Sequence, residues 1–228
     1  MGVRRDFMLR REEIEEILNQ ARSIDPNCVM FGASAHQYRL NPPIEKSFVE
    51  KIEKQYGFQL PEDYFRFITQ IGDGGAGPDY GIQPFSSFLR KDCSLWVEKC
   101  RKAYRHSLAK PFTPRPMRAD ELEEYAIATR EQYEKEPDRY FVYENFDPDD
   151  WSETNGYFNL GTHGCQWDYG IITAGEKFGQ VFDIDNECAY YLLANSFDEF
   201  YQDWLAQLAN TACFREKLES WKRLIERK

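Results

Sequence analysis

Three glycines, Gly72, Gly74 and Gly77, carry the spacing G-x-G-x-x-G, by which a backbone can approach a dinucleotide pyrophosphate. That chemistry needs a strand before the glycines and a helix after them, so that a helix N-terminus meets the phosphate. Here an apolar helical pattern, Tyr64, Phe65, Ile68 and Ile71, precedes them, and Pro78-Asp79 follows. The Gly-Lys-Ser/Thr of a phosphate-gripping loop is absent. The expectation is a surface turn at Gly74, Gly75 and Gly77 that binds no nucleotide.

Other residues offer different chemistry. Asp183-Ile184-Asp185-Asn186-Glu187 has the look of a calcium loop, but positions six and twelve hold Cys188 and Ala194 where a loop of that kind needs Gly and Glu. A turn between two strands accounts for the same residues. His163 and Cys165 lie two apart, while His36 and His106 are isolated. Zinc asks for about four convergent ligands in paired local spacings, so no metal is expected. A Cys–His nucleophilic pair stays open, because its members need not be near in sequence. A glycine-flanked turn holding a buried cysteine explains His163 and Cys165 equally. Asp168 sits between Trp167 and Tyr169 on an expected strand, either as part of a solvated face or as an acidic-aromatic patch for a partner. No catalytic constellation and no cofactor motif emerge.

Several elements would position these residues. Ile14, Ile17, Leu18 and Ala21 form one stripe on a charged helix at 11–22. A second helix begins at Pro43 and ends at Gly57, with Ile44, Phe48, Ile52 and Tyr56 along one side. A third starts at Pro61, with Glu62 and Asp63 in its first turn, where the helix dipole favours carboxylates. Tyr80 to Phe85 reads as a short strand. Helices are expected around 94–104 and 120–135, with a proline-rich connector between them and an acidic run, Asp147–Glu153, after them. Tyr157–Leu160, Gln166–Thr173, Gln180–Ile184 and Ala189–Leu193 are aromatic and β-branched, and Gly161, Gly164, Gly175 and Asn186 punctuate them, which reads as an antiparallel meander. Ser196 and Glu199 have capping-box spacing before the stripe Phe197, Phe200, Tyr201, Trp204, Leu205 and Leu208. Trp204 and Leu208 are expected to be buried against the sheet. A last helix carries Phe214, Leu218, Trp221 and Ile225.

The 228 residues include 29 basic and 39 acidic side chains, a net charge of −10. Nucleic acid and anionic membranes select concentrated positive charge, so neither is an expected partner. A basic protein partner fits the field, although acidity also serves solubility. No run approaches the ~20 apolar residues of a membrane span, and the N-terminus lacks a signal-peptide core. Six cysteines without paired spacing read as reduced thiols, hence a cytoplasmic protein.

Two segments together resemble a known family. One is Leu60-Pro61-Glu62-Asp63-Tyr64 running on to Gly72-Asp73-Gly74-Gly75; the other is Tyr169-Gly170-Ile171-Ile172, Gly179-Gln180-Val181-Phe182 and Ser196-Phe197-Asp198-Glu199-Phe200. These look like the SUKH superfamily, which includes fungal regulators of cell-wall assembly and bacterial immunity proteins. The resemblance covers about 43–85 and 155–209.

The resemblance implies an α+β fold: a single SUKH-like domain over 1–228, with a central antiparallel sheet, packed helices and a helical insertion. Around the core at 43–85 and 155–209 it leaves an N-terminal helical extension (1–42), an insertion (86–154) and a C-terminal helix (210–228). It also implies a non-enzymatic protein-binding module, an immunity protein that neutralises a cognate toxin such as a nuclease. A regulatory or scaffold protein is the alternative, and an enzyme with a carboxylate or cysteine centre is a third reading. The residues expected to meet a basic toxin domain are Asp73, Asp79 and Tyr80 after the glycine turn, and Trp167, Asp168 and Tyr169 on the strand. The two groups would meet if the Tyr80 strand joined the sheet.

Overall fold

A computed structural model describes residues 10–89, 104–125, 128–143, 155–164, 167–185 and 189–226. The helix expected at 94–104, but for its last residue, lies outside them. So do the acidic run Asp147–Glu153 and Cys93, Cys100, Cys165 and Cys188. The chain divides into two compact units, one of residues 1–46, 62–88 and 198–228, the other of residues 47–61 and 89–197.

The first unit is helical. Helix α1 (Arg11–Ile24) buries Ile14, Leu18 and Ala21, as its apolar spacing predicts. A short α2 (Ala33–His36) follows. Between them, buried Asp25 accepts hydrogen bonds from Val29 N (2.8 Å), Met30 N (3.0 Å) and Tyr38 Oη (2.8 Å). Three donors compensate the desolvation of one carboxylate. Helix α4 (Glu62–Arg66) runs into a π turn, Phe67–Ile71, that buries Phe67, Ile68 and Ile71.

The glycine turn after it departs from the expectation. Gly74 and Gly77 are buried and Gly75 is half-buried, so this is no surface turn. Gly75 forms antiparallel bridges with both Leu40 and Ile82. At φ +99°, a Cβ on Gly75 would lie 2.4 Å from Arg39 O, so the close backbone approach excludes a side chain. The strand expected at Tyr80–Phe85 is likewise reduced to this bridge at Ile82, and a 3₁₀ helix, Phe85–Leu89, follows.

Late in the chain, α7 (Phe197–Ala209) buries Tyr201, whose hydroxyl donates to Ala76 O at 2.8 Å. Leu208 is buried. Trp204 is only half-buried, its ring against His36 and Tyr201, where full burial was expected. Helix α8 (Thr211–Ile225) closes the unit with Phe214 and Leu218 inward.

The second unit holds helix α3 (Lys46–Tyr56), nearly all of which belongs to it, and an antiparallel sheet. Among the described residues the sheet has six strands: β1 (Arg115–Pro116), β2 (Tyr140–Val142), β3 (Tyr157–Gly164), β4 (Trp167–Ile172), β5 (Val181–Asp185) and β6 (Ala189–Ala194). Their order is β1-β2-β6-β5-β4-β3, so the last four form the expected meander. The helix expected at 120–135 is two short ones, α5 (Leu122–Tyr125) and α6 (Arg130–Lys135), the second opened by a Thr129–Gln132 capping box. Between β1 and α5, Arg115 grips the Glu121 carboxylate at 2.5 and 2.8 Å, holding its pKa down to about 2.

Alternation along the strands sorts their side chains onto two faces. One face buries Phe141, Tyr190, Phe182, Ile184 and Ile172 around Phe112. Phe112 meets Phe182 and Tyr190 edge-on at 5.3 Å each, a favoured aromatic geometry. At the β2 side of the other face, Met117, Leu122, Tyr140, Val142 and Ala189 form a second cluster. No helix among the described residues is long and apolar enough to cross a membrane.

Candidate functional site

The rest of that second face remains open. Tyr140 on β2 pairs with Tyr191 on β6, Tyr191 with Asp183 on β5, and Asp183 with Tyr169 on β4. One row therefore crosses four strands as Tyr, Tyr, Asp, Tyr. Trp167 lies two residues from Tyr169 and so shares its side. Tyr140, Tyr191, Asp183 and Trp167, together with Gln132, Lys135 and Glu136, line an open trough of about 730 Å³ that also takes in His163, while Tyr169 is buried on the same side.

His163 enters the trough through an irregularity in β3. Register shifts fall between Asn159 and Gly161 and again between Thr162 and Gly164. His163 is the unpaired residue of the second shift, and such bulges re-aim side chains. Its ring stacks on Tyr169 with centroids 5.1 Å apart, and it lies 5.8 Å from Trp167. Reaching over Tyr169, its Nε2 makes a 2.8 Å hydrogen bond with Asp183 Oδ1. On the far wall, Tyr191 Oη donates to Glu136 Oε2 at 2.9 Å, and burial together with this bond raises the tyrosine pKa.

The expected partner residues are divided by this geometry. Trp167, half-buried, lines the trough, and Tyr169 is buried on the same side with the His163 ring stacked on it. Asp168 points to the opposite face, where its Oδ2 accepts from Asn159 Nδ2 at 2.8 Å. In the first unit, Asp73 is 6% exposed, and its carboxylate accepts from Phe85 N (2.6 Å) and Ser86 N (3.2 Å), opening the 3₁₀ helix. Asp79 is half-buried in a left-handed conformation (φ 47°). Tyr80 is 43% exposed, with its ring edge-on to Phe31 at 5.3 Å. Among the described residues Tyr80 lies in no strand and Ile82 bridges to Gly75, so no Tyr80 strand is part of the six-stranded sheet.

Tyr140, Tyr191 and Glu136 were not singled out in the sequence, and His163 and Asp183 were weighed separately, not as a pair. Asp183 lies in β5, inside the strand expected at Gln180–Ile184; Asp185 extends that strand by one residue where a turn was expected, and His163 is in β3 rather than in a turn. The alternation of Asp183 and Asp185 with Phe182 and Ile184 was the available signal for a two-faced strand.

A histidine paired with a carboxylate can hold a proton, but catalysis also needs a reacting group and a stabiliser of developing charge at the same point. What the trough presents is shape, aromatic faces and carboxylate oxygens, the makings of a recognition surface. Among the described residues no three His, Cys, Asp or Glu side chains converge to hold a metal ion.

The model of the SMI1 / KNR4 family (SUKH-1) matches residues 43–203, which takes in α3, α4, the glycine turn, the sheet and the first half of α7. No curated protein and no solved structure gives a significant match. A match over more than half of the chain, with the Leu-Pro-Glu-Asp-Tyr helix and the glycine turn inside it, establishes that the chain belongs to the SMI1 / KNR4 (SUKH-1) family.

Proposed function

We propose that this protein is a non-enzymatic, cytoplasmic binding module that acts as an immunity protein, neutralising a basic toxin domain by one-to-one association. Members of its family act through protein–protein binding. The observation that carries the reading is the open aromatic trough on the sheet, lined by Trp167, Tyr140, Tyr191 and Asp183. Aromatic side chains in a concave surface are the usual anchors of protein interfaces. The net charge of −10 favours a basic partner, since opposite fields steer encounter.

The test is capture of the partner on the full chain from its own source cell, followed by affinity measurements on variants. Trp167→Ala is expected to cost roughly 2 kcal/mol, about thirtyfold in Kd. Asp168→Asn, on the opposite face, is expected to leave Kd unchanged. Equal affinity of the folded Trp167→Ala variant would remove the trough from the interface. A captured partner whose activity the chain leaves untouched would point to the scaffold role instead.

A further inference from the structure

Among the described residues, Asp183 and Glu136 each engage one carboxylate oxygen and leave the other without a hydrogen bond. Asp183 Oδ1 is bonded to His163, while Oδ2 has no hydrogen-bond partner among the described residues. Glu136 Oε2 receives Tyr191 Oη and lies 3.6 Å from Arg139 Nε, while Oε1 is likewise open. The nearby cations are already engaged. Lys135 Nζ is paired with Glu131 at 2.9 Å, and Arg139 donates to Leu192 O (3.1 Å) and Leu193 O (3.4 Å). Between the two carboxylates stands Tyr191, the cross-strand neighbour of Asp183 and hydrogen-bond partner of Glu136, and its ring lies 4.9 Å from that of Tyr140. Trp167 forms the opposite wall.

We infer that this trough is the receptor for an arginine side chain of the partner, its guanidinium lying against the aromatic wall and donating to Asp183 Oδ2 and Glu136 Oε1. The proposal rests on the protein-binding reading above and names the chemistry that the site selects. Two acceptors on either side of an aromatic ring suit a flat, forked donor, which can stack and hydrogen-bond at once. An ammonium is a compact point charge that keeps its hydration more strongly, so lysine fits this wall less well. The same chain already places a guanidinium near this ring, since Arg139 Cζ lies 5.9 Å from the Tyr191 centroid.

Two measurements test it at low salt. In the first, N-acetyl-arginine amide is titrated into the full-length protein and followed by NMR of the aromatic and indole signals. Shifts confined to Trp167, Tyr191, Tyr140 and His163 are expected, at least fivefold weaker binding for the lysine analogue, and at least tenfold weaker binding for the Asp183→Asn/Glu136→Gln double variant. No shift at the trough, or equal binding by wild type and double variant, overturns the assignment. In the second, the captured partner is measured against the same variant, whose fold is checked by near-UV circular dichroism. A partner that binds the folded variant as tightly as wild type overturns the arginine receptor and leaves the protein-binding reading standing. Trough-specific arginine binding with no capturable partner supports the receptor and defeats the immunity reading.

Discussion

His36 is held neutral by its surroundings. Tyr38 N donates to its Nδ1 at 3.0 Å, its ring is also bonded to the Asp79 backbone, and Tyr38 and Trp204 pack edge-on against it. Burial therefore lowers its pKa from 6.5 to about 4. Between those values the unfolded chain binds a proton that the folded chain refuses. Stability thus falls as pH drops from about 6.5 towards 4 and levels off below that. The loss attributable to this residue is on the order of 2 kcal/mol, at about 1.4 kcal/mol for each pKa unit and with allowance for partial exposure. The protein has three histidines, so each can be followed by NMR. A His36 midpoint near 4, and a smaller acid-induced drop in stability for His36→Asn, are the expected results; a midpoint near 6.5 would contradict them. In sequence His36 was an isolated histidine with no visible role, because its partners, Asp79 and Trp204, come from distant segments.

At the scale of elements, the glycine turn and the helix cap at Gly57 show how one residue type serves two constraints. Gly57 ends α3 at φ +75°, and the nearest atom to a Cβ there would be Ala109 Cβ at 4.0 Å. Gly75 combines φ +99° with a backbone oxygen 2.4 Å from the would-be Cβ. Gly57→Ala should therefore cost only the left-handed penalty, about 1 kcal/mol. Gly75→Ala should cost roughly 3 kcal/mol or more, because two bridged segments must separate. Urea unfolding of both variants checks this; equal losses would show that the close approach is not what Gly75 serves. The contrast also marks what sequence can carry. Glycines announce a turn, but only the approach of residues 39–41 and 82 tells whether it is buried. The meander from Tyr157 to Ala194 was legible because alternation and turn residues are local signals. The register shifts in β3 that lift His163 towards Asp183 were not, because a bulge depends on pairing with β4. Trp167 and Tyr169 were found on that strand, while their neighbours across the sheet waited on the register.

At the scale of the whole molecule, charge acts before contact does. The net charge of −10 acts at distances where no single side chain matters, within a Debye length of about 8 Å at physiological salt. Around the trough, Glu134 and Asp138 are exposed and stand apart from the lining. Association with a basic partner should then divide into two parts. The acidic field and its exposed carboxylates set the association rate, while the trough residues set the dissociation rate. Raising salt from about 0.02 to 0.5 M is expected to slow association roughly tenfold or more, with dissociation little changed. Glu134→Gln/Asp138→Asn should slow association modestly and flatten its salt dependence, whereas Trp167→Ala should speed dissociation at every salt concentration. Stopped-flow kinetics on the full chain and its captured partner separates these effects. An association rate that does not respond to salt would mean that the partner is not drawn in by charge, and the case for a basic toxin domain would fall with it.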